Sequence, residues 1–177
     1  MKQHPEKIPV MFDRVMRPEW IDYALSKYVS SSDKAELNDR LRDYLSKEIK
    51  TPTSLRKTVS QLQRTVGFLS VISHDELVVA HDQMKNLAPT ERGQLRLELL
   101  ERANPFVADC VNVLRKLSLI GVHMVSATDL YDRLSAQYGD RGTIPRRVRY
   151  VLSTLKLFGF VTNEKGKWRW VDQGVEV

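Results

Sequence analysis

The sequence predicts a mainly α fold: a helical N-terminal bundle, then a C-terminal unit ending in one small β-hairpin. Three observations predict it. Apolar residues recur at spacings of three and four along most of the 177 residues, which marks helices with one buried stripe. Prolines and short polar residues stand just ahead of those stripes, where helix starts tolerate or need them. Alternation with a period of two appears only near the end, at residues 160–162 and 168–171, joined by the Gly-containing link 163–167.

The elements follow in order. Residues 1–17 read as an irregular arm. Pro18 suits a first helical turn, and Trp20, Ile21, Ala24, Leu25 and Tyr28 repeat at helical spacing behind it. Ser30, Ser31 and Ser32 break the pattern. Asp33 and Glu36 have the spacing of a capping box and open a helix to about residue 48, with Leu37, Leu41, Tyr44 and Leu45 as its apolar stripe. Residues 50–53 are a turn and a new start, and Leu55, Val59, Leu62, Val66 and Leu69 form the next stripe. Residues 74–87 give a looser helix. Pro89 and Thr90 act as stop and restart, so 87–90 is the linker between a domain over 1–88 and one over 89–177. Helices over 91–102 and 106–120 follow, the second capped by Asn104 and Pro105 and ended by Gly121. Residues 122–125 suit a short strand. The last two helices are 128–138 and about 145–158, separated by a Gly-rich turn at 139–142.

Composition bounds the function. Hydrophobic residues make up 42% and charged residues 28%, ordinary for a globular chain and too apolar for disorder. The single cysteine, Cys110, cannot form a disulfide within the chain and fits a reducing cytosol. It falls in an apolar helical run, so a buried small side chain is expected rather than a thiol nucleophile. No apolar run approaches the roughly 20 residues that span a bilayer. Residues 1–9 lack the apolar core of a signal peptide. A cytoplasmic protein without a membrane partner is expected.

Charge placement is more telling than its sum. The chain carries a net charge of +6. Eight basic residues lie between Arg141 and Trp170, with Glu164 as the one acid among them, so this stretch exceeds the charge of the whole chain. A polyanion is the partner such a concentration fits. On the helix from about Pro145, Val148, Val151, Leu152 and Leu155 share one side. Arg146, Arg149, Tyr150 and Ser153 share the other, with Arg147 on the flank. Guanidinium forks suit guanine edges and phosphates, and Tyr and Ser hydroxyls suit phosphate or base. In the hairpin, Lys165 and Lys167 flank Gly166 at the tip, and Arg169 shares a strand face with Lys167. Trp168 and Trp170 alternate with these bases, placed either to pack the hairpin onto the helices or to stack on nucleobases.

Helix, turn, basic helix and basic hairpin, in that order, resemble a winged helix-turn-helix. The residues that carry the resemblance are Leu130 and Leu134, the turn at 139–142, Ile144 to Arg147, Leu152 and Leu155, Gly159 to Val161, and the strand at 168–171. They cover about a quarter of the chain. The resemblance implies double-stranded DNA as partner, with the basic helix in the major groove and the hairpin on phosphates. A small, basic, helical chain with such a module is also similar to DNA-binding accessory proteins of bacterial phage-defence systems, BREX and its BrxA family among them. This implies a bacterial regulator or a phage-defence factor.

A shift of 93 residues exposes a second copy. Leu37, Asp39, Arg40 and Leu41 align with Leu130, Asp132, Arg133 and Leu134. Without a gap, Pro52, Arg56, Ser60 and Leu62 then meet Pro145, Arg149, Ser153 and Leu155. Residues 33–69 are either a wingless helix-turn-helix or an amphipathic helix pair that shares the pattern by coincidence. In the first case Arg56, Lys57 and Arg64 form a second DNA-binding surface.

Other patterns carry less. His74 and His81 recur seven apart, each followed by Asp, without a third metal ligand at metal-like spacing. There is no phosphate-binding Gly loop, nucleophile elbow or zinc-protease motif. The sequence therefore predicts a non-enzymatic double-stranded DNA-binding protein with no cofactor and no metal. The alternatives are an adaptor that docks a partner protein or a second copy through the apolar runs at 106–120 and 66–71, and an RNA-binding protein.

Overall fold

A computed structural model describes residues 11–172. Residues 1–10 of the expected arm lie outside that range. The fold is mainly α with a small antiparallel sheet near the C-terminus, as the periodicity predicts. Among the described residues the order is α1 (Pro18–Tyr28), α2 (Lys34–Leu45), α3 (Pro52–Val66), α4 (His74–Asn86), α5 (Pro89–Ala103), α6 (Pro105–Leu119), β1 (Val125–Ser126), α7 (Ala127–Tyr138), α8 (Ile144–Leu157), β2 (Val161–Glu164) and β3 (Lys167–Trp170).

The helix starts follow the punctuation. Pro18, Pro52, Pro89 and Pro105 each open a helix, where the missing N–H has no intrahelical partner to lose. Asp33, Ser73 and Ser126 cap α2, α4 and α7 by accepting from the N–H three residues on. The box at Asp33 differs from the expected form: Glu36 reaches back to the N–H of Ser32 at 2.7 Å, one residue earlier. Asn104 does not cap α6 with its side chain. Its amide donates to the carbonyl of Leu100 at 2.9 Å and so closes α5.

Three expectations of length need correction. The linker shrinks to Leu87 and Ala88, because α5 already begins at Pro89. The second helix stops at Leu45 rather than about residue 48. The third stops at Val66, and Leu69, expected in its stripe, is exposed. The break lies at Gly67. A Cβ there would sit 2.4 Å from Oε1 of Gln63, whose amide accepts from Phe68 N–H and donates to Lys34 and Asn38 of α2. A side-chain amide replaces the next helical turn and ties the end of α3 to the start of α2.

Two three-helix groups result. α1 packs on α2 and α3, while α6 packs on α7 and α8. Tyr23 stacks on Tyr44 at 3.8 Å in the first group, and Phe106 meets Tyr138 edge-on at 5.3 Å in the second. α5 contacts α1, α3 and α4 on one side and α6 on the other. Arg96 of α5 grips Asp22 of α1 in a two-pronged ion pair at 2.7 and 2.6 Å. The sheet has the order β1-β3-β2, so the short strand ahead of α7 pairs with the last strand. It therefore holds three strands, where the alternation alone predicts a hairpin. Trp170 stacks on Phe160, with Arg115 of α6 over its outer face at 5.0 Å, which seats the hairpin on the helices.

Candidate nucleic-acid interface

α8 separates its faces cleanly. Ile144, Val148, Val151, Leu152 and Leu155 are fully buried. Arg146 and Arg149 are exposed, Ser153 lies beside them, and Lys156 continues the same face one turn beyond Arg149. Among the described residues, Arg146, Arg149 and Lys156 form no ion pair with a carboxylate. Lys156 adds to the predicted reading face, and its signal was its seven-residue spacing from Arg149.

The flank of α8 is occupied. Arg147 pairs with Asp13 at 3.0 Å and is 19% exposed, so an acid of this chain already holds it. The hydroxyl of Tyr150 accepts from Arg14 at 3.2 Å, and its ring is half-buried. Thr154, fully buried, accepts the N–H of Met16 at 3.0 Å and donates to the carbonyl of Tyr150. The segment 11–17 is irregular, as predicted, yet Phe12 and Met16 are fully buried. It is a packed strap rather than a loose arm.

The strap also binds α3. Oε1 of Gln61 accepts the N–H groups of Asp13 and Arg14 at 2.7 and 3.2 Å, and its Nε2 donates to the carbonyl of Arg14 at 2.8 Å. On α3, Arg56 is exposed, while Lys57 and Arg64 are half-buried. Arg64 donates to Ser60 at 3.0 Å. Val59, Leu62 and Val66 are buried behind them.

In the hairpin, Lys165, Lys167 and Arg169 are exposed, while Trp168 is half-buried and Trp170 buried, so the two tryptophans pack. Lys167 faces Glu164 across the ladder and Ser126 on the other side. The tip is a two-residue turn with positive φ at both positions, 49° at Lys165 and 79° at Gly166. Such a turn matches the strand twist and favours Asn-Gly. A lysine there costs backbone strain on the order of 1 kcal/mol.

The remaining titratable groups are structural. The nitrogen Nδ1 of His74 lies 2.9 Å from the Tyr28 hydroxyl, and no group of three or more metal-ligating side chains exists among the described residues. Burial pushes the Cys110 thiol upward, away from the thiolate a nucleophile needs. Burial, with a hydrogen bond to Asp109, likewise raises the Tyr138 hydroxyl. Asp129 is held below the usual carboxylate range, chiefly by its capping bonds with Ser126. No helix is long and apolar enough to cross a membrane.

Comparison with protein-family profiles, with curated proteins and with solved structures finds no match to this chain.

Proposed function

We propose that this protein is a non-enzymatic binder of double-stranded DNA that reads the major groove with α8. The order α6, β1, α7, α8, β2, β3, with the short first strand paired to the last, is the order of a winged helix. The observation that carries the reading is the outward face of α8: Arg146, Arg149, Ser153 and Lys156 stand free of carboxylates over a fully buried opposite face. Beside it, Lys165 keeps a charged side chain at a strained turn position where Asn or Gly fits better, which supports a role for that charge. Arg146 and Arg149 fork onto bases or phosphates, and Lys165, Lys167 and Arg169 hold phosphates. The role as a bacterial regulator or phage-defence factor rests on resemblance alone.

A mobility-shift comparison of one sequence as duplex DNA, single-stranded DNA and duplex RNA at fixed salt tests the reading. Preference for duplex DNA supports it. Preference for either other probe replaces it, because α8 fits neither the narrow major groove of A-form RNA nor an unstacked strand.

A second reading, a partner-docking adaptor, has one specific observation in its favour. Leu119 and Ile120 at the end of α6, with Val122 and Met124 after it, are exposed. Stable co-purification of one protein, with no affinity for any duplex, favours it.

A further inference from the structure

The strap makes neighbours of two helices that lie 93 positions apart in register. Gln61 of α3 and Thr154 of α8 occupy equivalent positions under that shift. Both are fully buried polar residues, and both bind the backbone of residues 13–16. The strap thus runs between the two helices and is hydrogen-bonded to each.

Its direction fixes theirs. Asp13, Arg14 and Met16 meet Arg147, Tyr150 and Thr154 in turn, so the strap runs with α8. Met11 and Phe12 lie beside Arg64, Asp13 and Arg14 sit on Gln61, and Arg17 pairs with Glu48 ahead of α3 at 3.2 Å. The strap therefore runs against α3, and the two helices are antiparallel across it. In both, the strap-facing residues fall on the same side of the exposed stripe. An antiparallel pair turned toward each other in this way presents Arg56 and Ser60 on the same surface as Arg149 and Ser153.

Spacing decides how a duplex uses that surface. Helices in direct contact lie 8–10 Å apart, so one strand of backbone between them puts the axes roughly 15–20 Å apart. Successive turns of the major groove are about 34 Å apart. α3 cannot read the next groove while α8 reads its own; it lands on the phosphates that border the groove of α8.

Resting on the duplex-binding reading above, we infer that α3 is a phosphate-gripping helix, with Arg56 and Lys57 on the backbone beside the groove that α8 enters, and that one chain covers a single compact site.

The test is anisotropy titration of the full chain on a mixed-sequence duplex of about two turns, over a salt series, with selection from a random duplex pool run alongside. Arg56→Ala with Lys57→Ala is expected to weaken every duplex alike, about tenfold near physiological salt, with a log–log salt slope shallower by about two. The selected sequence stays that of the wild type. If the pair shifts the selected sequence, α3 reads bases and the inference is wrong. Unchanged affinity and slope overturn it as well. Arg56→Gln, with about half the slope change, gives the same decision if the double variant folds poorly. Loss of binding in Arg146→Ala with Arg149→Ala, but none in the α3 variants, overturns this inference alone. A wild-type chain that binds no duplex, or binds duplex RNA more tightly, overturns it together with the reading beneath it.

Discussion

Leu37 and Leu41 of α2 and Leu130 and Leu134 of α7 are all buried at the same positions of two helix pairs. The correspondence extends to the ends: α2 and α7 start and stop in the same register, behind the caps Asp33 and Ser126. Their second helices share Pro52 and Pro145, Arg56 and Arg149, Ser60 and Ser153, and Leu62 and Leu155. Outside that register they diverge. α8 runs on into a sheet with a charged tip, whereas α3 ends at Gly67 against its own Gln63. The packing faces tolerate few residues and repeat; the outward faces are free to change. The difference separates what makes a helix pair stable from what makes it useful.

The largest expected effect tests whether the two pairs depend on one strap. Phe12→Ala removes a fully buried ring and should cost about 3–5 kcal/mol in denaturant unfolding. A cost under about 1 kcal/mol would mean that the strap packs on neither pair. Next, Leu41→Ala and Leu134→Ala occupy equivalent buried sites, and each should cost about 2–5 kcal/mol. A large inequality between them would break the equivalence. Gln61→Ala and Thr154→Val each leave strap N–H groups without an acceptor, at about 1–3 kcal/mol apiece. Their effects should be non-additive, because both act on residues 13–16; simple addition would show two independent anchors.

A smaller effect concerns the join between the groups. Desolvation raises Glu101 of α5 above the usual carboxylate range, although Arg115 lies 3.2 Å away. A raised folded value means the fold favours the protonated acid. That stabilisation is complete below the unfolded value and is lost as pH rises through the folded one. Glu101→Gln should therefore raise the thermal midpoint relative to wild type at neutral pH, and the gain should vanish near pH 4. A gain independent of pH would remove Glu101 as its cause. Smallest of all, Lys165→Gly relieves the strained turn and should stabilise the hairpin by about 0.5–1 kcal/mol while weakening duplex binding. Unchanged binding would make the tip lysine a bystander.

Much of this was legible in the sequence because helices announce themselves locally. Prolines, caps and stripes give the starts of α1, α2, α3 and α6 within a residue or so, and the faces of α8 follow from its spacing alone. The strap was not legible. Seven irregular residues have no period, and their partners lie 48 and 138 positions away. For the same reason Arg147 and Tyr150, sorted by helical angle to the flank and the reading face, carried no sign of Asp13 and Arg14. Leu69 was misplaced because an apolar run looks continuous until the Gln63 amide at Gly67 ends the helix.

The most direct measurement is the duplex-binding isotherm of the wild type and of Arg146→Ala with Arg149→Ala across a salt series. If α8 holds DNA, the double variant loses about 10-fold or more in affinity and its log–log salt slope falls by about two. Affinity and slope equal to the wild type's would contradict the placement of α8 in the groove.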